Sequence, residues 1–272
     1  MRITGGAAVL GAGLAVFAGS ALLLVLTGHT GVRYSADHDG TVPLWSRSVP
    51  ALVGVALVLL TPAARPEPAR PGPAGVRGQA WLLAGAALAF AVVLHLVPGE
   101  TAYLVAKLAL LAALPAVLLR RSRWSPTPPD ARWAPVAPVA GWLLVSYATP
   151  LAPPAVDDPA ADGVLVLLAA LVVGFLANAL LEELFYRRWL QARWEVLVGP
   201  WAAIVLSSLL WAVWHTAIQG RGDLLVDLAS AVLNQGVTGV FLGLLWARYR
   251  RLWPLLVVHG AVNALPLLPG LL

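Results

Sequence analysis

The chain has no cysteine, one methionine and a single lysine among its 272 residues, and only 11% of it is charged. The missing cysteine excludes disulfides, thiolate catalysis and cysteine-ligated metal. A water-soluble domain carries about 25% charged residues, so this chain lacks the charge to cover a surface facing water. Most of it is apolar instead: 60% of the residues are hydrophobic, in runs that approach or exceed the roughly 18 to 20 residues that cross a bilayer. The expected class is an all-α, polytopic transmembrane helix bundle. The first run, from about Gly5 to Thr27, is too long for the apolar part of a signal peptide and lacks a cleavage site, so it is read as a membrane helix.

The sequence pI of 10.2 comes from arginine. In a membrane protein such an excess reports orientation and contact with anionic lipid. No segment resembles a nucleic-acid module, and no nucleic-acid partner is expected.

Hydropathy and breakers predict about nine helices, over 5–27, 49–64, 79–97, 102–119, 133–149, 163–196, 200–218, 224–247 and 252–268. Proline-rich stretches such as "TPAARPEPARPGPAG", "SPTPPD" and "TPLAPPAVDDPAAD" read as loops. The N-terminus and the even-numbered loops hold 14 arginines, the odd-numbered loops three. By the positive-inside rule the N-terminus is cytoplasmic and the C-terminus lies outside. The acidic Asp157, Asp158 and Asp162 then also lie outside. The sixth helix is overlong, about 50 Å at 1.5 Å per residue, so its cytoplasmic end, with Arg193 and Glu195, is expected to project beyond the hydrocarbon before a turn at Gly199 and Pro200.

Ionisable side chains inside membrane helices are costly, at least about 2.5 kcal/mol each at mid-depth, and therefore point to function. Glu182, Glu183, His215 and His259 all fall within apolar spans of the last four helices. Glu182 and His215 lie equally far, about 24 Å, from the turn near Gly199, so an antiparallel hairpin brings them to one depth. His259 and Asn263 on the last helix reach the same slab, nearer the cytoplasm. The expectation is one cavity faced by all four.

Spacing adds detail. Glu183 and Arg187 form an i,i+4 acid-first pair. Glu182, rotated about 100° away on an α-helix, is left over as a candidate general base or acid. Trp211 and His215 share one helix face, as do His259 and Asn263. Taken singly, each motif also has a plain structural reading. "EELFYR" could anchor a helix end by ion pairing, and a membrane histidine can serve as a packing hydrogen bond. The twelve tryptophans suit an interfacial belt, and Asn178, Asn234 and Gln235 suit interhelical bonding. Lys107 is assigned no role. Ser207 and Ser208 lie about two turns from His215, too far to form a nucleophile–base pair.

The ordered set "EELFYR", "WAVWH" and "HGAVN" on successive membrane helices resembles the CPBP intramembrane protease family, which includes type II CAAX prenyl endopeptidases and bacteriocin-immunity (Abi) proteins. The resemblance covers roughly residues 163 to 268. It suggests motif-free helices over 1–160 and a CAAX-protease-like catalytic domain over 161–272. It implies that Glu182 with His215 activates water, that His259 and Asn263 stabilise the oxyanion, and that Glu183 and Arg187 support them. Two positions depart from the pattern: Trp211 stands where phenylalanine is common, and Arg188 where a small residue is common.

The expected activity is therefore an intramembrane endopeptidase acting on a membrane-associated protein in a plasma membrane, with bacterial origin suggested by composition. No cofactor is expected. Zinc held by Glu182, His215 and His259 is the alternative, disfavoured because Glu183, the only other nearby carboxylate, is expected to point towards Arg187. A proton-coupled transporter and a non-catalytic immunity or scaffold protein are the rival functions.

Overall fold

The computed structural model describes residues 5–34, 40–61, 75–120, 132–153 and 163–271. His38, the loop arginines Arg2, Arg65, Arg70, Arg121 and Arg123, and the acidic Asp157, Asp158 and Asp162 lie outside them. Among the described residues nine helices follow in the expected order. They are α1 (Gly6–Leu26), α2 (Leu44–Leu60), α3 (Val76–Leu96), α4 (Glu100–Leu119), α5 (Val136–Tyr147), α6 (Val164–Val198), α7 (Pro200–Gln219), α8 (Leu224–Tyr249) and α9 (Leu252–Ala264). A 3₁₀ turn, Leu265–Leu271, follows α9. Six of them, α1, α3, α4, α6, α7 and α8, are long and apolar enough to cross a membrane. The protein is an all-α bundle of integral-membrane type.

Two features were not expected. A short antiparallel hairpin, β1 (Gly31–Arg33) with β2 (Thr41–Pro43), links α1 to α2. It delivers the chain directly into α2, which starts earlier than hydropathy suggests, at Leu44. Nor are the charges near the end of the overlong α6 left to solvent. Arg193 is buried and donates to Gln79 of α3, and Glu195 pairs with Arg250 at 2.6 Å. Packing against α3 and the α8–α9 turn gives these charges protein partners in place of solvent. Arg250 holds a left-handed φ of 51° at the end of α8, a conformation the ion pair helps to offset.

These contacts define the two ends of the bundle. One end gathers Gly6, Thr61, Gln79, Val198, Arg248 and Arg250, and the turn at Gly199, whose φ of 87° suits glycine. The opposite end is tied by Arg47 to Asn234, Asn234 to the Arg33 carbonyl, Tyr34 to the Val262 carbonyl, His95 to Thr216, and Gln235 to Gln219. Asn234 and Gln235 thus serve as interhelical bonds, as expected. The tryptophans divide: Trp45, Trp81, Trp133 and Trp201 are exposed, but Trp142, Trp194, Trp211, Trp214 and Trp246 are buried in the core rather than in a belt.

The central contact is α8 against α7 on one side and α2 on the other. There the backbone of Gly54 meets the ring of Phe241, where a β-carbon would overlap it. Replacing Gly54 by valine should therefore cost about 1–3 kcal/mol through overpacking, read as a lower thermal midpoint in detergent. An unchanged midpoint would show that α2 can slide away from α8.

Candidate active site

The site is built where α6 departs from α-helical geometry. Residues Phe175–Leu180 and Glu183–Gln191 form π-helical turns with i→i+5 bonding, a feature often found at functional sites. A wider turn rotates each successive side chain by less than the 100° of an α-helix. The two adjacent glutamates therefore fan apart less than α-helical spacing predicts, and both reach the same neighbour on α9.

That neighbour is His259. Its Nδ1 lies 2.8 Å from Glu183 Oε1, and its Nε2 faces Glu182 Oε2 at 3.9 Å. The expectation that Glu183 points away towards Arg187 is thus corrected. Arg187 does approach Glu183, but loosely, with Nε 3.5 Å from Oε2 and no hydrogen bond from any of its three guanidinium nitrogens. Its charge also lies over the face of Trp211, 5.3 Å from the ring centre.

Glu182 is not left over either. Lys107 of α4, fully buried, donates to Glu182 Oε1 at 2.5 Å and to Asn178 Oδ1 at 2.7 Å. It also bonds to the Tyr103 hydroxyl, and Tyr103 donates to Asn178. The rings of Tyr103 and Trp214 stand 4.6 Å and 5.1 Å from the ammonium. The other oxygen of Glu182 accepts the indole N–H of Trp211 at 2.6 Å. Phenylalanine there could not make this bond, so the tryptophan adds a donor to the pocket. Each carboxylate oxygen keeps a further lone pair.

His215 sits where α7 tightens. The regular helix stops at Val213, and the His215 amide bonds back to the Ala212 carbonyl. Its ring stacks on Trp214 at 3.8 Å and meets Trp211 edge-on at 5.0 Å. Nδ1 lies 2.9 Å from the Trp211 carbonyl. A carbonyl can only accept, so Nδ1 carries the proton and Nε2 keeps its lone pair. His215 is linked to Glu182 through Trp211, whose ring it meets and whose indole N–H binds that carboxylate. Asn263, one turn beyond His259, is half-buried, and its Nδ2 is enclosed with no hydrogen-bond partner. Such orphaned donors are uncommon and cost about 1–3 kcal/mol.

The structure thus gathers Glu182, Glu183, Arg187, Trp211, His215 and His259, and leaves Asn263 a turn away with a free donor. Sequence reasoning missed Lys107, Tyr103 and the use of Asn178 as its acceptor. A signal existed: an isolated lysine inside an apolar helix demands an anionic partner, and Glu182 was the carboxylate without one. The serines are accounted for structurally, Ser207 bonding to Gln191 and Ser208 to the Ile204 carbonyl.

Residues 164–265 match the family described as Rce1-like type II CAAX prenyl endopeptidases. The matched segment holds α6 to α9 and all three motifs, and it agrees with the resemblance those motifs carry. No curated protein and no solved structure matches the chain.

Breaking one side of a buried ion pair typically costs about 3–5 kcal/mol. Lys107→Met should destabilise the protein by that order, and the double variant Lys107→Met with Glu182→Gln should recover part of it. Thermal denaturation of these two variants and of Glu182→Gln alone in detergent reads the coupling. Additive losses would mean that the two side chains do not support each other.

Proposed function

We propose that this chain, residues 164–265 of which belong with the Rce1-like type II CAAX prenyl endopeptidases, is an intramembrane endopeptidase of a bacterial plasma membrane. It hydrolyses a peptide bond in a membrane-associated protein. The observation that carries the reading is the placement of His259 between two carboxylates, with Nδ1 on Glu183 and Nε2 3.9 Å from Glu182. That gap is too long for a direct hydrogen bond and suits a bridging water.

In the proposed reaction Glu182, with His215 Nε2 as second acceptor, takes a proton from water, and the hydroxide adds to the substrate carbonyl carbon. The oxyanion forms on the His259 side. There a proton shared between Nδ1 and Glu183 leaves Nε2–H to donate, and Asn263 Nδ2 supplies the second donor. Collapse breaks the C–N bond as the proton held by Glu182 passes to the leaving nitrogen, giving a carboxylic acid and an amine. Lys107 and Trp211 fix the two oxygens of Glu182, so that the base is oriented before substrate arrives. Tertiary packing of two bound water acceptors and two donors is the arrangement that acyl transfer to water requires.

Zinc would have to use Glu182, His215 and His259, with Lewis-acid activation of water as its contribution. The tied Nδ1 atoms of both histidines would suit such ligands. Glu182 does not: its oxygens already face the Lys107 ammonium and the Trp211 N–H. A dication there would meet a buried cation and a donor hydrogen. Among the described residues no three His, Asp or Glu side chains converge as metal ligands do. The donor set fits zinc poorly, and the proposal is a metal-independent, glutamate-based hydrolase.

Two tests follow. Comparison of membrane proteomes from cells carrying the native chain, Glu182→Gln and Asn263→Ala should show a cleaved membrane protein only with the native chain. Asn263→Ala removes an orphaned donor, so its thermal midpoint should hold or rise while cleavage falls by about 10²–10³. A cleavage pattern identical in all three strains would refute the proposal. Stripping the purified protein with a strong chelator should leave activity unchanged; loss on stripping, restored by stoichiometric zinc, would overturn the metal-independent reading.

A further inference from the structure

The two ends of the bundle differ in how they treat the site. At the arginine-rich end the path along α6 is filled. Gln191 donates to the Gly243 carbonyl of α8 and to Glu195, and accepts from Ser207 of α7. Arg193 is held by Gln79, and Glu195 by Arg250. Gln191, Arg193 and Ser207 are buried, so paired polar side chains fill the path along α6 at this end.

At the opposite end a cavity of about 40 Å³ reaches His215. Space of this size holds a few waters, provided polar partners line it. The lining is mixed, and its polar side chains are His29 from the α1–α2 connection, His215, Thr216 and Gln219 from α7, Arg221 from the α7–α8 connection, and Asp227, Ser230 and Gln235 from α8. The walls are anchored, because Asp227 accepts from the backbone of Arg221 and Gly222 and Gln235 bonds to Gln219. His215 is therefore a shared wall: its ring meets Trp211, which holds Glu182, and this cavity lies against it.

The charge pattern says which face the cavity opens on. The connections that close it, between α1 and α2 and between α7 and α8, are the arginine-poor ones. In the sequence, 14 of the 17 arginines fall at or beside the N-terminus and the even-numbered connections, the side that stays in the cytoplasm. We infer that the candidate site is reached from the non-cytoplasmic face of the membrane. Resting on the hydrolase reading above, the substrate class is then an exported or membrane-anchored polypeptide whose scissile bond lies on that face. Prenylated proteins of the cytoplasmic surface would not meet this opening. Of the four residues expected to face one cavity in the cytoplasmic half, this cavity is lined by His215.

The absence of cysteine makes the inference testable on the intact chain. Three single variants mark three places. Gly78→Cys lies at the arginine-rich end, exposed and with open space for a β-carbon. Arg221→Cys lies on the exposed opposite loop, and Ser230→Cys lines the cavity. Intact cells are treated with a membrane-impermeant maleimide and compared with permeabilised cells. Arg221→Cys and Ser230→Cys should label in intact cells to the extent reached after permeabilisation, and Gly78→Cys only after it. Labelling of Gly78→Cys but not Arg221→Cys in intact cells would overturn the orientation. Arg221→Cys labelled with Ser230→Cys silent would overturn the opening. Neither result bears on hydrolysis, which the proteome comparison reads separately. There, a Glu182-dependent cut in a non-cytoplasmic segment supports the substrate class, and a cut in a cytoplasmic tail overturns it.

Discussion

Charge neutrality inside an apolar bundle is the constraint on which this architecture rests. Two carboxylates, Glu182 and Glu183, are buried with two cations, Lys107 and Arg187. Each ion loses several kcal/mol of hydration on burial, and a well-packed apolar substitute would often be as stable or more so. Stability alone therefore gives no reason to keep the four. A site that must hold an oriented carboxylate away from bulk water does. The pairing is also uneven. Lys107 grips Glu182 at hydrogen-bond distance, with Asn178, Tyr103 and two ring faces completing its shell. Arg187 stands off at 3.5 Å from Glu183, which has given its other oxygen to His259. The tight pair fixes Glu182, the proposed base, and the loose pair leaves Glu183 free to orient an imidazole.

The order and extent of the helices were legible because apolar run length and proline punctuation are local properties. The convergence of Glu182, His215 and His259 was legible for a related reason: a hairpin about Gly199 equates depths on its two arms whatever the details of packing. Two things were hidden. The π-helical turns of α6 change the rotation per residue, and no periodicity argument built on α-helical spacing can anticipate them. That is why Glu183 was expected to face Arg187 alone. Lys107 lies 75 residues from Glu182, and its helix carries none of the motifs. Its apolar surroundings signal that it needs an anionic partner, and the tertiary packing of α4 against α6 discloses the pair. The α6 terminus misled in the same way, since Arg193 and Glu195 read as solvated charges until Gln79 and Arg250 are seen beside them.

Trp211 and Asn263 show opposite treatments of a polar group at one site. The Trp211 indole is spent fully: its N–H bonds to Glu182, and its faces and edges meet Arg187, His215 and His259. It locks the carboxylate and the two imidazoles into one arrangement. The Asn263 amide is left with a buried, unanswered donor. Other buried donors also lack a partner, those of the Arg187 guanidinium among them, but the Asn263 donor lies one turn beyond His259, where the proposed reaction brings an acceptor. A developing oxyanion is such an acceptor, and it exists only during the reaction.

The asymmetry between the two ends then follows from the same economy of charge. The arginines that set orientation must sit at the lipid–water boundary of one face. Where they fall along α6 and α8, they are drawn into contacts with Glu195, Gln79 and the Thr61 carbonyl that seal that end. The helices that carry the site have few such anchors at the other end, where short connections and a hairpin meet around polar but uncharged groups such as Gln219, Ser230 and Gln235, with Asp227 held by backbone amides. The cavity that touches His215 lies at the arginine-poor end. In the proposed orientation, closure and access are both properties of the arginine distribution, and His215 stands between the carboxylate cluster and the cavity.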